Sequence, residues 1–149
     1  MSDTPDVGPA VGTWVVTVWA DRDHHELVRA RRRADDTDEL PGEFPGDLPP
    51  REIRLTGDEV RIGRAGDRSG SDAPEIDLTG PPRDPGVSKL HAVLLALPPD
   101  RWVVIDAGST NGTTLNYGEE PLTPDTPVAL RPGDRIHVGA WTTLTVDRR

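Results

Sequence analysis

The sequence predicts an all-β fold, a β-sandwich built from ten or eleven short strands. The first observation is the density of turn-forming residues, with 16 prolines and 15 glycines in 149 residues. The second is a series of short β-branched or alternating apolar segments at close spacing. The third is that no amphipathic segment of useful helical length stands out, so helices are not expected to contribute a layer.

The first predicted strand is Trp14–Trp19, which is β-branched and aromatic. Residues 1–12 are acidic and rich in proline and glycine, which favours a disordered tail before a single domain over 13–149. From about residue 29 to residue 50 the chain is strongly polar, with a basic run, an acidic run and four prolines. This stretch predicts a long polar surface loop at about 29–50.

Short apolar segments predict the remaining strands. Leu90–Leu97 is apolar on both faces and ends at Pro98-Pro99, which favours a central strand over a buried helix. Asn111-Gly112 predicts a tight hairpin turn. The other strands are expected near Ile53–Leu55, Val60–Ile62, Glu75–Leu78, Arg101–Asp106, Thr113–Leu115, Pro127–Leu130, Arg135–Val138 and Trp141–Val146.

The composition of the chain argues against several classes of function. A net charge of -9 disfavours nucleic-acid and anionic-membrane binding, because both reward a basic surface. Without cysteine there is neither a disulfide nor a thiolate metal site, and no cofactor or metal is expected. No apolar run reaches the ~18 residues of a membrane span, and the N-terminus lacks signal-peptide features, so a cytoplasmic location is expected. Abundant arginine beside a single lysine, Lys89, indicates a GC-rich bacterial genome.

Two segments place cationic or donor side chains at strand ends. Gly63-Arg64 ends a predicted strand, and its planar guanidinium can hold a phosphate through two parallel hydrogen bonds. Ser88 and Lys89 precede the most apolar strand, where the hydroxyl can donate to a phosphate and the ammonium can add charge. His91 enters that strand and is expected to be a buried structural hydrogen-bonding group rather than a catalyst.

A third segment, Asp106–Thr113, is dense in Gly, Ser, Thr and Asn and predicts a tight, hydrogen-bonded loop. The Asn111 side chain can donate and accept at once, which suits binding to a peptide backbone, although Asn-Gly is also common in plain turns. A fourth segment, Leu130–Gly139, contains a Gly133-Asp134 turn leading into a strand, and we interpret it as structural.

Together and in this order, the four segments resemble the forkhead-associated (FHA) family. The family pattern is Gly-Arg, then Ser-x-x-His, then Gly-x-x-Asn-Gly-Thr, then a Gly-Asp turn into the closing strands. The matching residues are Gly63-Arg64, Ser88 and His91, Gly108 with Asn111-Gly112-Thr113, and Gly133-Asp134. The resemblance covers residues ~52 to 147 and implies an eleven-stranded sandwich of two antiparallel sheets, with a ligand held by loops at one end.

The resemblance also implies phosphothreonine-peptide binding and no enzymatic activity. Arg64 and Ser88 would contact the phosphate, Lys89 would assist, Asn111 would hold the peptide backbone, and Thr110 would add a contact. Gly63, His91, Gly108 and Gly112 would support the site. The implied partner is a phosphothreonine-containing protein or peptide, such as a serine/threonine kinase or its substrate.

Two departures from the family pattern affect this prediction. The family commonly has arginine directly after the motif serine, whereas this chain has Lys89, which keeps the charge and loses bidentate geometry. The stretch from Ala65 to Val87 is long and proline-rich, so the preference for residues flanking the phosphothreonine does not carry over. Arg68 and Arg83 lie in this stretch and are interpreted as solvated.

Alternatives from other classes remain open. One is an FHA-like scaffold that contacts its partner without phosphate. Another is a hydrolase using Ser88, His91 and Asp106, which lacks the Gly-x-Ser-x-Gly elbow. A metal site at His24-His25-Glu26 is disfavoured because adjacent histidines in a strand point to opposite faces. Nucleic-acid binding through Arg29–Arg33 is disfavoured because acidic residues follow at once.

Overall fold

A computed structural model describes residues 13–35, 43–66 and 70–149. These residues form ten strands, one α-helix and a short 3-10 turn at Gly70–Asp72. The first elements are β1 (Trp14–Ala20), α1 (Arg22–Asp35), β2 (Arg51–Arg54), β3 (Glu59–Gly63) and β4 (Ile76–Asp77). The others are β5 (Leu90–Leu97), β6 (Arg101–Asp106), β7 (Thr113–Leu115), β8 (Val128–Ala129), β9 (Arg135–Val138) and β10 (Thr142–Arg148).

The strands form two five-stranded sheets, which confirms the predicted β-sandwich. Sheet one has the order β2-β1-β10-β9-β7, and sheet two has the order β4-β3-β5-β6-β8. The strand β5 is central, as its two apolar faces predict. The paired strands are antiparallel except for β3 and β4, which run parallel with Ile62 opposite Ile76. The two sheets are thus antiparallel apart from this short parallel pair at one edge.

The main core lies between the sheets, where alternate side chains of each strand face inward. Ile62 and Leu94 of sheet two and Ile136 and Leu144 of sheet one are fully buried there. Together with neighbouring valines they form one continuous apolar cluster. This cluster fixes the two sheets against each other and holds the loops at each end of the sandwich in place.

The helix α1 corrects the predicted loop at about 29–50, because residues 29–35 are helical. Residues 43–50 have no regular structure, and 36–42 lie outside the described residues, as does the predicted disordered tail at 1–12. The helix begins where Asp21 Oδ1 accepts the amides of Asp23 and His24 at 3.0 and 3.3 Å, a side-chain N-cap.

Four buried or half-buried side chains of α1, His24, Leu27, Val28 and Arg31, form an inward stripe with the helical spacing i, i+3, i+4, i+7. His25, beside this stripe, is also buried. Only two of these four residues are apolar, so hydrophobic periodicity alone does not reveal the helix. The stripe covers the outer face of sheet one, where His137 and Thr143 alternate with core residues yet are themselves buried.

The Asn111-Gly112 pair is not a hairpin turn, which corrects another expectation. The strand before it, β6, belongs to sheet two, and the strand after it, β7, belongs to sheet one. The connection therefore crosses between the sheets at one end of the sandwich.

No helix in the described part of the chain is long and apolar enough to cross a membrane.

Strand direction places four connections at the same end. Gly63 at the end of β3 pairs with Leu90 at the start of β5, and Ala92 pairs with Asp106 at the end of β6. In sheet one, Thr113 at the start of β7 pairs with Val138 at the end of β9. The loops that follow or precede these residues meet there and form the candidate site.

Candidate functional site

Gly63 brings two backbones together at the edge of the site. The register between β3 and β5 shifts at Ile62/Gly63, and the Arg64 amide donates to the Lys89 carbonyl at 3.0 Å. A Cβ on Gly63 would lie 2.0 Å from that carbonyl oxygen, which no real side chain tolerates. Glycine is therefore required here by close approach of the backbone.

The Arg64 side chain is half-buried and turned toward the loop that precedes β5. Its Nε donates to the Val87 carbonyl at 2.5 Å. A guanidinium has five N–H donors, and this bond uses one of them. The bond orients the planar group at the loop end of the sandwich.

Ser88 and Lys89 lie opposite Arg64. The Ser88 hydroxyl oxygen accepts the Thr110 amide at 3.1 Å, which ties the Ser88 loop to the loop that follows β6. This bond uses a lone pair of the hydroxyl and leaves its proton as a donor. The Lys89 side chain is exposed, as is that of Thr110.

His91 is fully buried beneath these two loops. Its Nδ1 accepts the Ser88 amide at 3.0 Å, and its Nε2 donates to the Gly112 carbonyl at 2.9 Å. An acceptor at Nδ1 requires the neutral ring with the proton on Nε2. Burial lowers the pKa of His91 and keeps the ring neutral, although the Gly112 carbonyl, Asp106 and Asp84 act in the opposite direction.

Asp106 organises the loop over 107–112 from within. Its Oδ2 accepts the amides of Gly108 and Ser109 at 3.0 and 3.1 Å, and its Oδ1 accepts the hydroxyls of Ser109 and Thr113 at 2.5 and 2.6 Å. Burial alone would raise the pKa of the Asp106 carboxyl, but these hydrogen bonds outweigh burial and lower it. Sequence reasoning included Asp106 in this predicted loop but gave its side chain a role only in the hydrolase alternative, although Asp before Gly-Ser is also a signal for such a turn.

Asn111 joins the two loops from the other side. Its side chain is exposed, and its Nδ2 donates to the Gly86 carbonyl at 3.1 Å. Gly108 and Gly112, which flank it, both have φ of +84°, a conformation that favours glycine. The residues expected to support the site therefore lie within or directly beside it.

Asp84 is the residue that sequence reasoning missed. Its carboxylate is 1% exposed and accepts four hydrogen bonds, from the amides of Gly86, Ala140 and Trp141 and from the Thr142 hydroxyl. In the sequence, Asp84-Pro85-Gly86 has the composition of an ordinary turn. Three of its four partners lie more than fifty residues away along the chain, and no local pattern indicates that pairing.

The structure thus brings Arg64, Ser88, Lys89, Thr110 and Asn111 to one end of the sandwich. Arg83 is exposed in the preceding loop, and Arg68 lies outside the described residues. The hydrolase arrangement is not formed, because His91 bonds to the Ser88 amide rather than to its hydroxyl, and Asp106 bonds to Ser109 and Thr113.

The residues of the other alternative sites lie on α1. His24 and His25 are buried on α1, and residues 13–35, 43–66 and 70–149 contain no group of three or more His, Asp or Glu placed to hold a metal ion. Within the basic run, Arg29 pairs with Glu26 at 3.8 Å and Arg31 donates to the Gly118 carbonyl. Of the acidic residues expected to neutralise this run, Asp35 ends α1, and Asp36, Asp38 and Glu39 lie outside the described residues.

Comparison with known proteins agrees with the motif order. The FraH protein of Nostoc sp. is 38% identical over 86 residues, which cover 58% of this chain. The chain spans only 28% of the length of FraH. The solved FHA domain of an Arabidopsis thaliana hypothetical protein matches 99% of this chain and 94% of its own, with a TM-score of 0.61 at 22% identity.

A further solved structure, described as an analysis of phosphothreonine-dependent FHA domain interactions, matches 91% of this chain and 97% of its own. Its TM-score is 0.52 at 23% identity, a level at which the likeness shows the fold. The sequence model of the FHA domain matches residues 60–139, which is more than half of the chain and includes every predicted site residue. The chain belongs to the FHA domain family.

Proposed function

We propose that this domain binds phosphothreonine-containing peptides through the loops at the Arg64 end of the sandwich. FHA domains are phosphothreonine-binding modules, which supports this assignment at the level of the family. The observation that carries it for this chain is the interlocking of three loops by Ser88, Asn111 and Arg64. Their bonds to Thr110, Gly86 and Val87 hold a guanidinium, a hydroxyl and an amide at one surface.

The proposed roles follow from the chemistry of each group. Arg64 supplies charge-assisted hydrogen bonds to the phosphate, and Ser88 donates its hydroxyl proton. The exposed Lys89 adds a positive charge nearby, without bidentate geometry. Asn111 and Thr110 contact the peptide backbone, while Gly63, His91, Gly108 and Gly112 keep the loops in place.

The energetics suit a reversible contact. A phosphothreonine brings about -1.5 to -2 charges and three acceptor oxygens. Charge-assisted hydrogen bonds contribute about 1.5–3 kcal/mol each, and part of this is offset by ordering the peptide. The expected dissociation constant is in the micromolar range, which corresponds to a binding free energy of about -8 kcal/mol.

The proposed partner is a phosphorylated protein in serine/threonine kinase signalling, either a kinase or its substrate, in the cytoplasm. The domain would act by binding rather than by catalysis. In this arrangement kinase and phosphatase activity on the partner controls the association, since the phosphate supplies most of the recognised charge.

The test is a phosphothreonine peptide library, followed by calorimetry on the peptides it selects. Arg64→Ala should weaken binding at least roughly 100-fold, because it removes charge-assisted bonds to the phosphate. Arg83→Ala is the matched control, since Arg83 is an exposed arginine of the preceding loop, and it should bind like the wild type. Equal binding of phosphorylated and unphosphorylated peptides would overturn the proposal and favour a phosphate-independent scaffold.

A further inference from the structure

We infer that Asp84 is a positioning residue of the proposed peptide site. It fixes the positions of the Val87 and Gly86 carbonyls, which orient Arg64 and Asn111. The inference rests on the proposed function, since it explains how the site is held ready for its ligand. Asp84 lies in the loop between β4 and β5 and contacts the turn over 139–141 that joins β9 to β10.

The carboxylate of Asp84 accepts hydrogen bonds from donors in two separate parts of the chain. Oδ1 accepts the amides of Gly86 and Ala140 at 2.9 and 2.8 Å. Oδ2 accepts the Trp141 amide at 3.0 Å and the Thr142 hydroxyl at 2.7 Å. One side chain therefore fixes the loop before β5 against the opposite sheet.

The packing around Asp84 leaves little room for displacement. Gly139 has φ of +64°, and a Cβ on it would lie 2.6 Å from both carboxylate oxygens. A Cβ on Gly86 would lie 2.8 Å from the Gly139 Cα. Two backbones thus approach across the carboxylate at distances that only glycine allows.

The site residues depend on the segment that Asp84 holds. Gly86, whose amide bonds to the carboxylate, offers its carbonyl to Asn111 Nδ2 at 3.1 Å. Val87, whose amide donates to the Asp84 carbonyl at 3.3 Å, offers its own carbonyl to Arg64 Nε. Asp84 therefore acts on the peptide through Gly86 and Val87, without contacting it.

The isosteric variant Asp84→Asn tests this role, because it replaces one carboxylate oxygen by an NH2 group. This group donates hydrogen bonds and would face other donors. Placed at Oδ1, the NH2 group opposes two backbone amides; placed at Oδ2, it opposes the Trp141 amide and the Thr142 hydroxyl. Only the Thr142 hydroxyl can rotate to accept. The segment holding Gly86 and Val87 should therefore shift in either orientation.

The matched control is Asp21→Asn. Asp21 is also 1% exposed and also accepts four hydrogen bonds, from the amides of Asp23 and His24 and from the hydroxyls of Tyr117 and Thr143. None of these donors lies in the peptide-binding loops. Both variants should lose stability, measured by urea denaturation, while only Asp84→Asn should lose affinity.

The measurements are calorimetry with the selected phosphopeptide and NMR of the Arg64 Nε–H and Asn111 Nδ2–H signals in the unliganded protein. Under conditions where both variants are folded, Asp84→Asn should weaken binding about tenfold or more and shift both signals, whereas Asp21→Asn should change neither. Thr142→Val removes one of the four donors and should show the same effects in milder form, which keeps the test valid if Asp84→Asn does not fold.

Wild-type affinity in folded Asp84→Asn, or in Thr142→Val with unchanged Arg64 and Asn111 signals, would overturn the positioning role. If the wild-type domain binds no phosphopeptide, the proposed function fails, and the NMR signals still decide whether Asp84 orients the two side chains. The two failures are thus distinguishable.

Discussion

At the scale of single residues, the candidate site depends on two positions. At one of them a side-chain atom would collide with a backbone carbonyl, and at the other a proton on a ring nitrogen would remove a hydrogen bond. Gly63 lies against the Lys89 carbonyl, and His91 offers a lone pair to the Ser88 amide. Both residues act on the same loop, one by the absence of a side chain and the other by a fixed tautomer. The positions of Arg64 and Ser88 follow from these two contacts.

Gly63→Ala should destabilise the domain by about 1–3 kcal/mol or more, because β3 and β5 must separate to admit the methyl group. It should also weaken phosphopeptide binding, since Arg64 and Lys89 move with the two strands. Gly118→Ala is the control, because its Cβ would meet only the Leu115 carbonyl at 3.1 Å. Urea denaturation and calorimetry check both effects, and a Gly63→Ala variant as stable as the control would contradict the close approach.

His91→Phe should also weaken binding, because it leaves the Ser88 amide and the Gly112 carbonyl without the ring nitrogens that join them. Two buried backbone groups without partners cost about 1–3 kcal/mol each. The expected result is a lower free energy of unfolding together with a weaker phosphopeptide affinity. A variant that loses stability but keeps full affinity would show that His91 does not hold the peptide-binding loops.

At the scale of elements, α1 adds a second, polar layer outside sheet one. Asp21 Oδ2 accepts the hydroxyls of Tyr117 and Thr143 at 2.7 and 2.8 Å, and His137 Nδ1 lies 2.8 Å from the Thr143 hydroxyl oxygen. His24 Nε2 bonds to the Val138 and Gly139 carbonyls at 3.2 and 3.1 Å. Hydrogen bonds of Asp21 and His24 thus hold the start of the helix to the sheet.

Tyr117→Phe tests this attachment. It removes the hydroxyl that donates to the buried Asp21 carboxylate, and a hydrogen bond to a charged group contributes about 1.5–3 kcal/mol. Thermal or urea unfolding should show a loss of that size. Phosphopeptide affinity should stay within about twofold of the wild type, because Tyr117 lies outside the peptide-binding loops. An unchanged stability would mean that the hydroxyl does not contribute to holding α1.

At the scale of the whole molecule, an acidic protein of net charge -9 presents cationic groups at one end. Its four histidines are all buried, and burial lowers the pKa of His24, His91 and His137. For His137 the pKa falls to about 4, because burial and the nearby His24 outweigh the attraction of Asp21. Burial therefore favours the neutral form of His24, His91 and His137.

Stability should therefore fall on acidification. Below about pH 6.5 the unfolded chain binds a proton on His137, whereas the folded protein binds this proton only below about pH 4. As far as this residue is concerned, the free energy of unfolding therefore has its full value above pH 6.5 and decreases between pH 6.5 and pH 4. The contribution of this residue is on the order of 3 kcal/mol. His137→Gln, which does not titrate, should show a shallower decline in urea denaturation across pH 4–6.5, with the remaining slope due to His24, His91 and the carboxylates. Parallel curves for the two proteins would contradict the assignment.

Most strands and the site motifs are predictable from the sequence because their signals are local. β-Branched and aromatic residues mark β1, alternating apolar residues mark β3 and β9, and the two apolar faces of Leu90–Leu97 correctly predict a central strand. The helix α1 is not predictable in this way, because its inward stripe contains a histidine and an arginine. The sheet to which each strand belongs is also not local, so the crossing at Asn111-Gly112 resembles a hairpin in sequence.

The sequence by itself determined the β-sandwich and the order of the FHA motifs, and it indicated that Arg64, Ser88 and Asn111 belong to one site. Only the tertiary structure decided how those residues are held. Asp84 with the turn over 139–141 and Asp21 with Tyr117 and Thr143 are pairings across the fold. A buried carboxylate is stable only where hydrogen-bond donors converge on it, and the distant donors of Asp84 and Asp21 reach them only once the strands have assembled into the sandwich.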